Sequence, residues 1–137
     1  VEPQIPGHHD LPAAVDTLVQ STRATGLDVR TDLRLDGWED LRPTVRTSLL
    51  RVLQESLANV GKYAPPGATC QVEVVVADAV TLSVTSPLPA TGPRRRDAAH
   101  GAGHGIIGMR ERVEALGGTL EVGPQGRHWV VRAVLPG

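Results

Sequence analysis

The chain predicts an α+β fold, a two-layer sandwich in which three helices cover one face of a mixed sheet of about five strands. Three observations lead there. Arg51 to Ala64, RVLQESLANVGKYA, has apolar residues recurring at helical spacing. Cys70 to Val76 and Val80 to Thr85 are β-branched runs joined by Ala77-Asp78-Ala79, the local pattern of a hairpin. Along the chain the elements run αβαββ, an irregular stretch, then αββ, with no internal repeat.

A chain of 137 residues is long enough to bury one core but not two. There is no Phe, so that core is built mainly from Val, Leu, Ile and Ala. Fourteen basic residues against 15 acidic ones give a net charge of −1, which supplies no overall attraction to nucleic acid or an anionic membrane. The lone Cys70 excludes an intrachain disulfide and a cysteine-rich zinc site, and fits a reducing compartment. No apolar run approaches the roughly 18 residues that cross a bilayer, and no signal-peptide pattern opens the chain. The irregular start VEPQIPGHHD reads as the remnant of a longer protein, so residues 1–9 are expected to be linker and 10–137 the folded domain.

Asp10 is placed to cap a first helix, with Pro12 at an early position and Leu11, Val15, Leu18 and Val19 as its apolar stripe. Gly26 ends it, and Leu27 to Leu35 reads as a strand followed by an Asp36-Gly37 turn. Pro43 opens the long helix, which Pro65-Pro66-Gly67 stops. After the hairpin, Ser86 to Gly103 holds three prolines, three glycines and no periodicity, as expected of a lid or a disordered stretch. A short helix from Ile106 to Leu116 closes at Gly117-Gly118, and Thr119 to Val122 pairs with His128 to Leu135 across Gly123-Pro124-Gln125-Gly126.

The long helix has two faces. At about 100° per residue, Leu49, Leu53, Leu57, Val60 and Ala64 fall on one side. Arg51, Glu55, Asn59 and Lys62 fall on the other, with Glu55 and Asn59 one turn apart and able to reach a common object. Most amphipathic helices carry such a stripe only to face solvent. A second motif sits downstream. Gly103-His104-Gly105-Ile106-Ile107-Gly108 matches GxGxxG, but no strand precedes it, so the dinucleotide-binding version of that motif does not apply. Its physics still does: glycines allow close approach, and a helix that starts there directs free N–H groups at an anion such as phosphate.

Together the two stretches resemble a known family. QESLANVGKYA is similar to the N box of the GHKL ATPases, and GHGIIGMRERVEALGGTL to the G2 box and following helix of sensor histidine kinases. The GHGxxGMRER wording resembles the subfamily whose partner regulators carry helix-turn-helix output domains. The resemblance runs from about Leu11 to the end and implies the Bergerat fold, with ATP and Mg²⁺ held under a long lid. It implies that Asn59 holds Mg²⁺ through its side-chain oxygen, a hard donor for a cation that keeps waters and bridges phosphates. Glu55 falls where relatives that hydrolyse ATP place a water-activating carboxylate, and where the kinases place a residue near the metal. Lys62 is implied to lie toward the phosphates, and Gly103, His104, Gly105, Ile106 and Gly108 to form the lid hinge and phosphate cradle.

The chain departs from the family's pattern at two places. The G1 box has an Asp that accepts from the adenine amino group; here the matching stretch is Ser86-Pro87-Leu88-Pro89-Ala90, so Ser86 stands for the acid. Tyr63 stands where the subfamily commonly has His.

Other polar clusters read more simply. His8-His9-Asp10 superficially resembles a phosphoacceptor histidine followed by an acid, but Pro12 follows at once and no long dimerising helix surrounds it. His100 and the Arg94-Arg95-Arg96 run read as solvated parts of the lid, and no HExxH or Cys partner points to zinc.

Three functions follow as expectations. The first is the catalytic domain of a histidine kinase, cytoplasmic whether or not the full-length protein is anchored in a membrane. It would pass the γ-phosphoryl group of ATP to a histidine on a dimerisation domain outside this sequence, and through it to a response regulator. The second is a degenerate nucleotide-binding module that regulates without phosphotransfer, which the missing acid at Ser86 would allow. The third, a self-contained ATPase, rests on Glu55 alone.

Overall fold

A computed structural model describes residues 7–89 and 104–137. Helices α1 (Leu11–Arg23), α2 (Pro43–Tyr63) and α3 (His104–Ala115) lie on one face of a sheet built from β1 (Asp28–Arg34), β2 (Thr69–Val76), β3 (Ala79–Pro87), β4 (Thr119–Gln125) and β5 (His128–Pro136). The strand order is β1-β2-β3-β5-β4. Only β1 and β2 pair in parallel; the other neighbours are antiparallel. This is the expected two-layer α+β sandwich.

Alternation along the strands separates the two faces. Val72, Val74, Val80, Leu82, Val84, Val131, Ala133 and Leu135 are buried beneath the helices, where they meet Leu49, Leu53 and Val60 of α2 and Val15 of α1. The other face carries Arg30, Glu73, Glu121 and Arg132, all exposed. Ion pairs there, Arg30–Asp28 at 3.2 Å and Arg34–Asp32 at 3.6 Å, are solvated and add little to stability.

The helices are fixed to the sheet by a few directed bonds. The carboxylate of Asp10 accepts from the Ala13 amide at 3.1 Å, the expected cap of α1. At the other end of α1, the Arg23 guanidinium donates twice to the Val29 carbonyl, at 3.0 and 2.8 Å. Arg46 of α2 donates to the Leu41 and His8 carbonyls at 3.1 and 3.0 Å and lies 5.5 Å from the Trp38 ring centre. Arg110 of α3 donates to the Leu120 carbonyl at 2.7 Å. Between α2 and α3, the Ser56 hydroxyl donates to the Val52 carbonyl at 2.6 Å and lies 3.8 Å from the Met109 sulfur. After α3 the chain turns at Gly117, with φ +82°, and a Cβ on Gly118 would run into the Val134 carbonyl. Both glycines are therefore required by shape.

Three boundaries differ from the sequence reading. Strand β3 continues through Ser86 to Pro87, and the Leu88 amide still bonds the Arg127 carbonyl at 2.8 Å, so the irregular stretch begins later than expected. Helix α3 starts at His104, two residues earlier, which brings Gly105 into its first turn. The last hairpin does not turn at Gly123-Pro124. Both belong to β4, and Gln125 pairs with His128 across Gly126-Arg127, with φ +61° at Gly126. Pro124 is tolerated because β4 is an edge strand. The rest of the expected lid, residues 90–103, including Gly103, His100 and the Arg94-Arg95-Arg96 run, lies outside the described residues. Among the described residues, no helix is long and apolar enough to cross a membrane.

Cys70 is fully buried on β2, and that burial pushes its thiol from an ordinary value of 9.0 to about 11. We expect iodoacetamide at pH 8 to leave native Cys70 unmodified and to alkylate it in urea; equal rates would mean the strand is accessible. An unfolded thiol ionises near its ordinary value while the folded one holds its proton, so stability should fall as pH rises above about 9.

Candidate nucleotide site

Asn59 is not on the exposed stripe. It is only 4 % exposed, whereas Arg51, Glu55 and Lys62 are exposed as expected. Helical geometry explains the difference. At 3.6 residues per turn Asn59 lies about 20° round the helix from Val52 and about 40° from Glu55, on the border of the two faces. Val52 and Ser56, on the core side of that border, are fully buried against the α2–α3 seam and draw Asn59 inward. The price of that position is visible in the amide, whose Nδ2 is buried without a hydrogen-bond partner among the described residues.

Two recesses flank α2. The first is a narrow crevice between the C-terminal end of α2 and the ends of β3 and β5, lined by Asn59, Val60, Tyr63, Ser86, Leu88 and Trp129. Its volume of about 10 Å³ is the space of one water molecule. Ser86 is 3 % exposed and faces Trp129 directly across the β3–β5 pair. The second is an open groove of about 520 Å³ between α1 and α2, which holds Glu55, Lys62, Arg51 and, from α3, Arg112, with the hydroxyls of Thr17, Ser21 and Thr22 along one wall. Asn59 and Ser86 are thus brought together, while Glu55 and Lys62 lie round the helix from them. The smaller recess is the better reader of a ligand's shape, because its polar groups are desolvated and its walls are apolar. The groove is larger but open to solvent.

Glu55 also approaches the start of α3. A Cβ on Gly105 would come within 2.9 Å of the Glu55 Oε2, so the absence of a side chain at residue 105 admits this carboxylate to the first turn of the helix, where the free N–H groups favour an anion. Ile106 is half-buried and packs on the core, and Ile107 is exposed. A Cβ on Gly108 would meet nothing within 4 Å, so no close approach accounts for that glycine. Gly103 and the His104 side chain lie outside the described residues.

The donor set fits a phosphate-bridging Mg²⁺ better than a metal held by protein alone. Among the described residues no three His, Cys, Asp or Glu side chains gather to hold an ion. What is present is one buried side-chain amide, whose oxygen is a hard donor, and one acid a turn away on the same helix, which is the sparse protein contribution that Mg²⁺ takes when phosphates and waters fill its shell.

Trp129 is the crevice residue that sequence reasoning missed. In an alternating apolar strand a tryptophan reads as core, and only the pairing of Ser86 with Trp129 places it at the site. Its indole Nε1 is buried with no hydrogen-bond partner among the described residues.

This fold is that of the catalytic domains of sensor histidine kinases. A mycobacterial sensor histidine kinase, MprB, superposes with a TM-score of 0.66 at 21 % identity, covering 93 % of this chain and 95 % of that one. Full-length ShkA, solved in complex with AMPPNP, superposes with a TM-score of 0.63 at 18 % identity over 99 % of this chain and 32 % of its own. In sequence, the chain is 34 % identical over 97 residues to the signal transduction histidine-protein kinase/phosphatase UhpB of Salmonella typhimurium strain LT2. That match takes in 71 % of this chain and 18 % of UhpB. No protein-family model matches the chain.

Two substitutions separate site from scaffold. Asn59→Ala removes a buried amide nitrogen that is unpaired among the described residues and a residue that is a poorer helix former by roughly 0.5 kcal/mol, so thermal stability should hold or rise; a clear drop in melting temperature would mean the amide has a structural bond. Gly105→Ala should fold at least as well, by up to about 1 kcal/mol of helix propensity, because among the described residues the only obstacle is the movable end of Glu55. A lower melting temperature for this variant would mean that Glu55 cannot give way.

Proposed function

We propose that this chain is the ATP-binding catalytic domain of a sensor histidine kinase of the GHGxxGMRER type, with residues 10–137 as the domain. It would deliver the γ-phosphoryl group of ATP to a histidine on a dimerisation domain outside this sequence, and so act on a response regulator indirectly. The observation that carries the proposal is the meeting of Asn59 and Ser86 in one buried crevice, since these are the residues that stand for the metal-binding Asn and the base-reading acid of the family. The base would enter at Ser86 and Trp129. Asn59, with Glu55 one turn earlier on the same helix, would hold Mg²⁺, which when bound neutralises phosphate charge. Gly105 and the start of α3 would receive phosphate oxygens, with Lys62 and Arg112 along the groove as further cations. Catalysis by such a site is positioning and charge neutralisation. The setting would be cytoplasmic, whether or not the longer protein is anchored in a membrane.

Ser86 favours a second reading, a regulatory module that binds nucleotide without transfer. A carboxylate that accepts from the adenine amino group makes a charge-assisted bond, about twice as strong as a neutral one. Serine lacks that charge, and its loss is on the order of 1–2 kcal/mol, or about tenfold in affinity. The two readings part at phosphotransfer, not at binding.

Calorimetry with ATP, with and without Mg²⁺, tests the proposal. We expect binding that depends on Mg²⁺ and is lost in the Asn59→Ala variant; no binding, or binding indifferent to Asn59, would overturn it. Ser86→Asp should tighten ATP about tenfold and GTP less, and an unchanged ATP affinity would remove Ser86 from the site. Radiolabelled phosphate on a histidine of the longer protein then favours the kinase, and ATP binding without label favours the regulatory module.

A further inference from the structure

The crevice ends in an unusual pair of groups. Trp129 is 7 % exposed, and its indole Nε1–H, which can only donate, has no acceptor among the described residues. Directly across the strand pair stands the Ser86 hydroxyl, 3 % exposed, which can donate or accept. The remaining walls are the apolar parts of Val60, Ala64, Pro87 and Leu88, together with Tyr63 and the amide of Asn59. Buried donors without partners are rare in folded chains. This one points to an acceptor brought by a ligand, because among the described residues no acceptor of the crevice wall is bonded to it.

The complementary object is a flat edge with an acceptor beside a donor. Adenine presents N1 as the acceptor next to its N6 amino donor. Guanine presents O6 as the acceptor next to the N1–H donor. A carboxylate at residue 86 would favour the base whose amino group it can bond, whereas a hydroxyl beside a fixed N–H imposes no such choice. The free space, about 10 Å³, admits the edge of such a ring in place of one water, with the rest of the base outside the crevice.

We propose that Trp129 is a specificity-determining residue, donating its indole N–H to N1 of adenine or O6 of guanine while Ser86 accepts from the neighbouring N–H, so that the site takes both purine nucleoside triphosphates. The proposal rests on the nucleotide-binding reading given above and adds to it the residue and the bond that read the base.

Calorimetry in Mg²⁺ with ATP, GTP and 1-deaza-ATP, whose ring carries C–H where adenine has N1, provides the test. The wild-type chain should bind ATP and GTP within about threefold of each other and 1-deaza-ATP roughly tenfold more weakly than ATP, the weight of one desolvated hydrogen bond. Trp129→Phe keeps a ring in the slot and deletes the donor. It should weaken ATP and GTP by about the same tenfold and bind 1-deaza-ATP no worse than ATP. Equal wild-type affinity for ATP and 1-deaza-ATP would overturn the proposal and leave ATP binding intact, as would a preference for ATP over GTP beyond a hundredfold. If no nucleotide binds at all, the reading of the domain falls with it. Because the analogue removes the bond from the ligand side, the outcome stands even if Trp129→Phe folds poorly.

Discussion

The pairing of β3 with β5 is the constraint on which the site depends. Nine residue pairs, from Ala79 with Pro136 to Pro87 with His128, fix the two strands in register at the centre of the sheet. Side chains alternate between faces, so a slip of one residue would turn Val80, Leu82, Val84 and Ser86 to solvent together. Burial of three aliphatic side chains therefore decides where one hydroxyl points. The polar position is set by apolar neighbours two and four residues away.

Helix α2 meets this register with a face that is not cleanly divided. Its core side packs Leu49, Leu53 and Val60 on the sheet, and its outer side presents Arg51, Glu55 and Lys62 to the groove. Asn59 falls between, held at the depth of Ser56 and Val52 but facing the ends of β3 and β5. A position of this kind desolvates the amide nitrogen without giving it a bond among the described residues. Stability gains nothing from it, and a ligand that supplies the missing partner gains a strong, directional contact.

The fold was legible in the sequence because its signals were periodic and locally consistent. Alternation in QVEVVV and in AVTLSV, the leucine spacing of α2, and prolines and glycines at the ends of elements all agreed on one layered arrangement. Site residues were legible to the extent that a spacing or a resemblance pointed to them: Glu55 and Asn59 by their separation, Ser86 by its place before the irregular stretch. Trp129 was not, because its role depends on which strand lies opposite, and β5 joins β3 from more than forty residues further along the chain. The depth of Asn59 was misread for a related reason. A helical wheel ranks directions, and the true boundary of burial is drawn by a second helix, α3, whose Met109 packs at Ser56.

The aromatic content of the chain is low: two tryptophans, one tyrosine and no phenylalanine. The two indoles sit in unlike surroundings, Trp38 half-buried near the Arg46 guanidinium and Trp129 enclosed at the end of the crevice. Near-ultraviolet absorption and emission are thus divided between a chromophore beside a cation and one in an apolar slot, with Tyr63 lining that same slot. Two of the three chromophores report on a single recess. The optical spectrum of this domain is, in effect, a record of what lies between α2 and the start of β5, written without any added label.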